Sequence, residues 1–149
     1  MESKVLAVAS MGGHWKQLLA LIDAFEARTT VFASTGDNFE AHYGIAHYYC
    51  LPEASRKTPF RILWLLITAV WVVARERPDV VVSTGALPGL ACILAGRLFG
   101  ARTLWIDSIA NVEHLSMSGK LARHIATTTL SQWPGLSRDG HVLYRGAIL

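Results

Sequence analysis

At 149 residues the chain has room for one domain of ordinary size and a single hydrophobic core, not for two full α/β domains. Hydrophobic residues make up 52% and charged residues 17%, which excludes disorder and leaves enough apolar surface to point to a membrane or a protein partner. The 14 Lys and Arg residues give a net charge of +3 but are scattered, with no basic run and no basic-aromatic ladder, so nucleic acid is not an expected partner.

Residues 4–10 are mostly small or β-branched with little alternation, the pattern of a strand buried on both faces of a parallel sheet. The opening "MESKVLAVAS" lacks the apolar core and cleavage site of a secretion signal and reads as this first strand. In "VASMGGHWKQLL", residues 8–19, the strand runs into Gly12, Gly13 and His14 and a helix opens at once. Trp15, Leu18, Leu19, Ile22 and Phe25 recur at helical spacing, which predicts a helix over 14–26. Strands are expected over 30–34 and 46–51, with a short helix over 37–43 between them.

Residues 62–74, "ILWLLITAVWVVA", are apolar at every position but Thr68. As a helix this stretch rises about 20 Å, short of the ~30 Å hydrocarbon core, so it should not span a bilayer. Trp64 and Trp71 are seven apart and share a face, and Arg56, Lys57 and Arg61 precede them while Arg75 follows. Tryptophans flanked by cations suit the membrane interface, so a membrane-associating helix is expected at about 59–76. A buried helix covering the sheet is the plainer alternative.

"PDVVVS", ending at Ser83, is a buried strand. "LPGLACILAGRLFG" follows as a helix with Pro88 in its first turn and Gly100 past its end. "ARTLWID" is the next strand, followed by a polar loop, a helix over 119–125, a short strand near Thr128 and a last strand over 141–144. Strands alternating with helices predict an α/β fold, a doubly wound, Rossmann-like parallel sheet forming one domain over 1–149. Ligands in such sheets gather at the carboxyl ends of the strands. Cys50 and Cys92, without CxxC spacing, read as reduced core thiols.

Three loops fall at those strand ends. Ser10, Gly12 and Gly13 lie where the first strand meets a helix, and unpaired N–H groups and the helix dipole there suit an anion. The pattern is not GxGxxG, and Asp37 comes too late to serve as a ribose ligand, so no nicotinamide or other cofactor is expected. "STGALPG" repeats the arrangement with Ser83, Thr84 and Gly85, and two such loops on one sheet edge suggest a diphosphate ligand. The third loop, "DSIANVEHLSMSGK", offers Asp107, Ser108 and Asn111 to hydroxyls or charge, while Glu113 and Lys120 read more simply as solvated. His14 alone among six histidines sits in a glycine loop, where a neutral imidazole can take a proton from a hydroxyl near pH 7. No DxD, GxSxG, Walker loop or HExxH occurs, so no metal site is expected.

Taken in order, "SMGGHWKQLL", "PDVVVSTGALPG", "DSIANVEHLSMSGKL" and "SQWPGL…VLYRGAIL" resemble the asparagine-linked glycosylation protein 14 family over nearly the whole chain. The resemblance implies the membrane-recruiting, acceptor-side half of a split glycosyltransferase, equivalent to the N-terminal half of a GT-B enzyme and inactive alone. It implies a separate UDP-sugar-binding catalytic subunit and a lipid-diphosphate-linked sugar acceptor. It further implies inverting, metal-independent transfer with His14 as base and Gly12, Gly13, Thr84 and Gly85 near the acceptor diphosphate. The donor sugar expected is N-acetylglucosamine, glucuronic acid or galactose. Relatives often carry Glu at the position of Asp107 and Arg at that of Asn111. Eukaryotic members usually begin with a spanning helix, whereas this sequence starts on its strand, so the expectation is a bacterial exopolysaccharide or capsule type on the cytoplasmic face of the inner membrane. The alternatives are a non-catalytic membrane recruiter and a free-standing small nucleotide-binding protein.

Overall fold

Val- and Ala-rich runs without alternation become the central strands of one parallel sheet, because both of their faces are covered. The computed structural model describes residues 2–37 and 45–148. In chain order the elements are β1 (Lys4–Ala9), α1 (Gly13–Leu19), a 3-10 turn (Ile22–Phe25), β2 (Thr29–Ser34), β3 (Tyr48–Cys50), α2 (Pro59–Glu76) and β4 (Val80–Gly85). These are followed by α3 (Ala86–Leu98), β5 (Arg102–Ile106), α4 (Met117–Ile125), β6 (Thr128–Ser131), a 3-10 turn (Pro134–Leu136) and β7 (Leu143–Tyr144). The sheet order is β3-β2-β1-β4-β5-β6-β7, with every pairing parallel.

The chain therefore winds outward one way through β2 and β3, then returns to the centre and winds the other way from β4. The reversal lies between β1 and β4, and their register slips at its end, from Val8 opposite Ser83 to Ala9 opposite Gly85. A doubly wound sheet opens its crevice at this switch point. Trp15, Leu18, Phe32 and Ile45 form the core on the α1 side. On the other side Leu65, Ala69, Val72, Ile93 and Trp105 fill the space under α2, α3 and α4.

Several expected boundaries move. The first helix ends at Leu19, not at residue 26. Its ladder tightens where the Leu21 amide bonds to the Leu18 carbonyl, three residues back, and Phe25 reaches Phe32 from the 3-10 turn (ring centroids 6.5 Å apart). The third strand is confined to Tyr48–Cys50. The helix expected over 37–43 lies outside the described residues except for Asp37. A helix spans Pro59–Glu76, where a helix was expected at about 59–76, and stops where Arg77 turns left-handed (φ 47°) ahead of Pro78. Cys92 is a core thiol, pushed up to about 12 by burial. Cys50 is not: it is exposed near the sheet edge, with its thiol donating to Asp37 at 3.3 Å.

Candidate functional site

The two glycine loops meet at the switch point. Gly12 (φ 94°) turns the chain out of β1 into α1, a backbone value that L residues rarely adopt. The neighbouring Met11 amide is held by the Thr35 hydroxyl at 3.1 Å. His14, half-buried, places Nδ1 3.1 Å from the Thr84 carbonyl oxygen, while the Thr84 hydroxyl donates back to the His14 carbonyl at 2.6 Å. A carbonyl only accepts, so the bonded Nδ1 carries a proton, and in the neutral ring Nε2 then holds the lone pair. Gly85 makes room for the ring: a Cβ there would lie 2.3 Å from Nδ1, and its φ of 142° is itself unfavourable for other residues. The next residue, Ala86, holds φ 67°, a strained value at the start of α3.

The hydroxyls of the second loop do not face the crevice as expected. Ser83 is fully buried and its oxygen accepts the Gly85 amide at 3.1 Å, so it closes its own turn. The buried Thr84 hydroxyl is engaged by His14. The loop holds the imidazole by the Thr84 carbonyl and the His14 backbone by the Thr84 hydroxyl, while Gly12 and Gly13 are exposed and Ser10 is half-buried.

The third loop is organised from within. Asp107 is 1% exposed, with Oδ1 accepting Trp105 Nε1 at 3.0 Å and the Ser116 hydroxyl at 2.6 Å. Oδ2 accepts the Ser116 amide at 2.9 Å and Asn111 Nδ2 at 3.2 Å. Four donors satisfy a buried carboxylate without a cation. Ser108 accepts from Gln17 Nε2 at 3.1 Å and from the Ala110 amide at 3.3 Å. The polar atoms of Asp107, Ser108 and Asn111 are thus turned into the loop, because a carboxylate at a strand end must be satisfied locally when α4 closes over it.

Sequence reading missed two residues here. Gln17 is buried on α1, and its Oε1 accepts the Ile109 amide at 3.2 Å and Gln132 Nε2 at 2.6 Å. Gln132 also donates to the Asp107 carbonyl at 3.0 Å and accepts the Ile148 amide at 2.9 Å. Together they tie α1, the β5 loop and the end of the chain into one frame. The one available signal was a Gln set between Trp15 and Leu18 on an otherwise apolar face.

The residues expected at a membrane lie on α2 or just ahead of it. Arg56, Lys57, Arg61, Trp64, Trp71 and Arg75 are all exposed. Arg75 stacks its guanidinium over Trp71, 5.5 Å from the ring centroid. Phe60 is 87% and Trp64 61% exposed, on a helix whose other face packs Leu65, Ala69 and Val72 into the core. No described helix is long and apolar enough to cross a membrane. Among the described residues, no group of three or more His, Cys, Asp or Glu side chains is placed to hold a metal ion.

A doubly wound parallel sheet with His14 held against the second glycine loop at its switch point defines a Rossmann-like α/β fold. MurG of Acinetobacter baumannii superposes with a TM-score of 0.80 at 17% identity, over 95% of this chain and 45% of that one. UDP-N-acetylglucosamine 2-epimerase from Rickettsia bellii gives 0.74 at 15%, over 99% of this chain and 46% of that one. The chain belongs to the family of oligosaccharide biosynthesis protein Alg14 like, whose model matches residues 50–148.

Relatives described as UDP-N-acetylglucosamine transferase subunit ALG14 include those of Cryptococcus neoformans, mouse and Schizosaccharomyces pombe. The Cryptococcus protein is 38% identical over 36% of this chain and 23% of its own length, and the mouse protein 33% over 53% and 38%. The S. pombe protein is 24% identical over 91% of this chain and 78% of its own length. The chain thus spans less than half the length of the two solved structures, and the Cryptococcus match less than a quarter of that relative. These relatives are eukaryotic and do not bear out the expected bacterial exopolysaccharide or capsule type. The family match contains the second and third loops but begins after Gly12, Gly13 and His14.

Proposed function

We propose that this chain is the acceptor-side subunit of a two-component glycosyltransferase. It binds a lipid-diphosphate-linked sugar in the crevice between β1 and β4 while a separate chain holds the UDP-sugar, and alone it is inactive. The observation that carries the reading is the orientation of His14: the Thr84 carbonyl fixes the proton on Nδ1 and leaves Nε2 as an oriented base. The acceptor hydroxyl gives its proton to Nε2 as its oxygen bonds to the anomeric carbon from the face opposite the leaving group. The bond from that carbon to the diphosphate breaks with its electron pair, releasing UDP and inverting the centre. As the ring becomes an imidazolium, its Nδ1–H bond to Thr84 strengthens, which stabilises the developing charge. Gly12 and Gly13 lie beside the ring with no atom within 4 Å of the space a Cβ would take, leaving access for the acceptor diphosphate at their amides.

The names of the relatives support UDP-N-acetylglucosamine as the donor. The exposed apolar face of α2, with its flanking cations, supports attachment to a membrane surface without crossing it. The unpaired thiols of Cys50 and Cys92 fit the reducing, cytoplasmic side of that membrane. The test is His14→Ala in the complex of this chain with its partner: turnover is expected to fall by about 100-fold or more, the usual contribution of a positioned base. Near-normal turnover in that variant would make the chain a recruiter without a catalytic group.

A further inference from the structure

We propose that an open apolar furrow over α3 holds the hydrocarbon chain of the acceptor, with Arg56 and Lys120 at its upper end on the diphosphate to which that chain is joined. The inference rests on the acceptor being a lipid diphosphate. Helices α2 and α4 each pack against α3, and between them two cavities of about 300 and 250 Å³ remain. Both are bounded by Leu87, Leu90 and Leu121, so they adjoin along α3 and together make up the furrow. Leu87, Leu90 and Leu94 recur on one stripe of α3, and Leu121 and Ile125 face them from α4. Every residue lining the lower cavity is apolar.

The occupant follows from the charge at one end and the lack of it at the other. Arg56 and Lys120 border the upper cavity alone, so the furrow matches a molecule with an anionic head and an apolar tail. From Leu87 to Leu94 the channel follows α3 for two turns, roughly 10 Å at ~1.5 Å per residue. A partner helix, ~10 Å across, is too wide for cavities of this size, whereas a linear hydrocarbon fits. Leu87 stands two residues after Gly85, which ties this end of the furrow to the loop that packs against the His14 ring. On the other side, Ile62 and Leu66 of α2 line the channel while Leu63, Trp64 and Ile67 face outward, so a chain could pass from a bilayer into the furrow along apolar surface.

The test uses the full chain with its partner and a farnesyl diphosphate analogue carrying a benzophenone at the end of its chain. Photolysis is expected to place adducts on residues 87–94 and 117–125. Unmodified farnesyl diphosphate should suppress them at least tenfold, and phosphatidylglycerol vesicles should not. Reversing the head charges with Arg56→Glu and Lys120→Glu should lower labelling at least tenfold. Leu121→Glu should do the same, since Leu121 is 57% exposed and a charge there leaves folding intact. Adducts confined to the outward face of α2, equal suppression by the vesicles, or indifference to the charge reversals would overturn the proposal. Furrow labelling alongside normal turnover by the His14→Ala complex would defeat the catalytic reading alone, and His14-dependent turnover without furrow labelling would defeat the furrow alone.

Discussion

At the scale of the residue, the site depends on one imidazole held from two directions. Thr84 fixes its tautomer, and Gly85 supplies the space in which the ring lies. Gly85→Ala should therefore act twice. A Cβ 2.3 Å from Nδ1 displaces the ring, and a φ of 142° strains the new residue, at a cost of about 1–3 kcal/mol. The expected result is a folded protein with a lowered melting temperature whose complex loses turnover nearly as completely as His14→Ala does. Turnover equal to wild type would show that ring position does not matter. The position of Gly12, Gly13 and His14 between a strand and a helix was legible in the sequence, because glycines between an apolar run and an amphipathic one mark a tight turn. The inward turn of Ser83, Thr84 and Asp107 was not legible, since a hydroxyl or carboxylate reads the same whether it faces a ligand or its own loop. Gln17 and Gln132 escaped notice for a related reason: their partners lie 91 and 115 residues apart in the chain from Gln17, at Ser108 and Gln132.

At the scale of the element, α2 presents two different faces, one buried and one exposed. Its bounds were readable from composition alone, and its outward face remains apolar because nothing among the described residues covers Phe60, Leu63, Trp64, Ile67 or Trp71. Replacing Trp64 and Trp71 together by Ser should weaken binding to anionic vesicles by tenfold or more in a sedimentation assay; unchanged partition would remove the face from the membrane reading. The inner end of the same helix is tied to the sheet by Glu76, which meets Lys4 at 2.5 Å, accepts from the Tyr49 hydroxyl at 2.5 Å and lies 3.2 Å from His47. Burial works to raise the Glu76 carboxyl, but Lys4, Tyr49 and His47 outweigh it and hold it below the usual value of 4.5. A carboxyl lowered in the fold adds stability above its unfolded pKa, and that stability is lost as pH falls through the folded value. Denaturant midpoints should thus drop on acidification below about pH 4.5, and Glu76→Gln should be less stable at pH 7 with a flatter acid limb. A variant with the wild-type profile would show that the cluster contributes nothing.

At the scale of the whole molecule, the strand order explains why the crevice lies where it does. Reversal of winding between β1 and β4 leaves the carboxyl ends of those two strands without a helix crossing between them, and the register slips there, at Ala9 and Gly85. The alternation of strands and helices made the doubly wound sheet predictable; the edge β3 was overextended because an edge strand has a neighbour on one side only to define its ends. In the proposed function this domain forms one wall of the cleft, and the proposed partner chain forms the other. The direct test is transfer from UDP-N-acetylglucosamine to a lipid-diphosphate-linked sugar by this chain, by the chain that co-purifies with it, and by the two mixed. The account predicts product only from the mixture, with dependence on His14. Product from the partner alone at the rate of the mixture, or a stable complex of UDP-N-acetylglucosamine with this chain by itself, would contradict it.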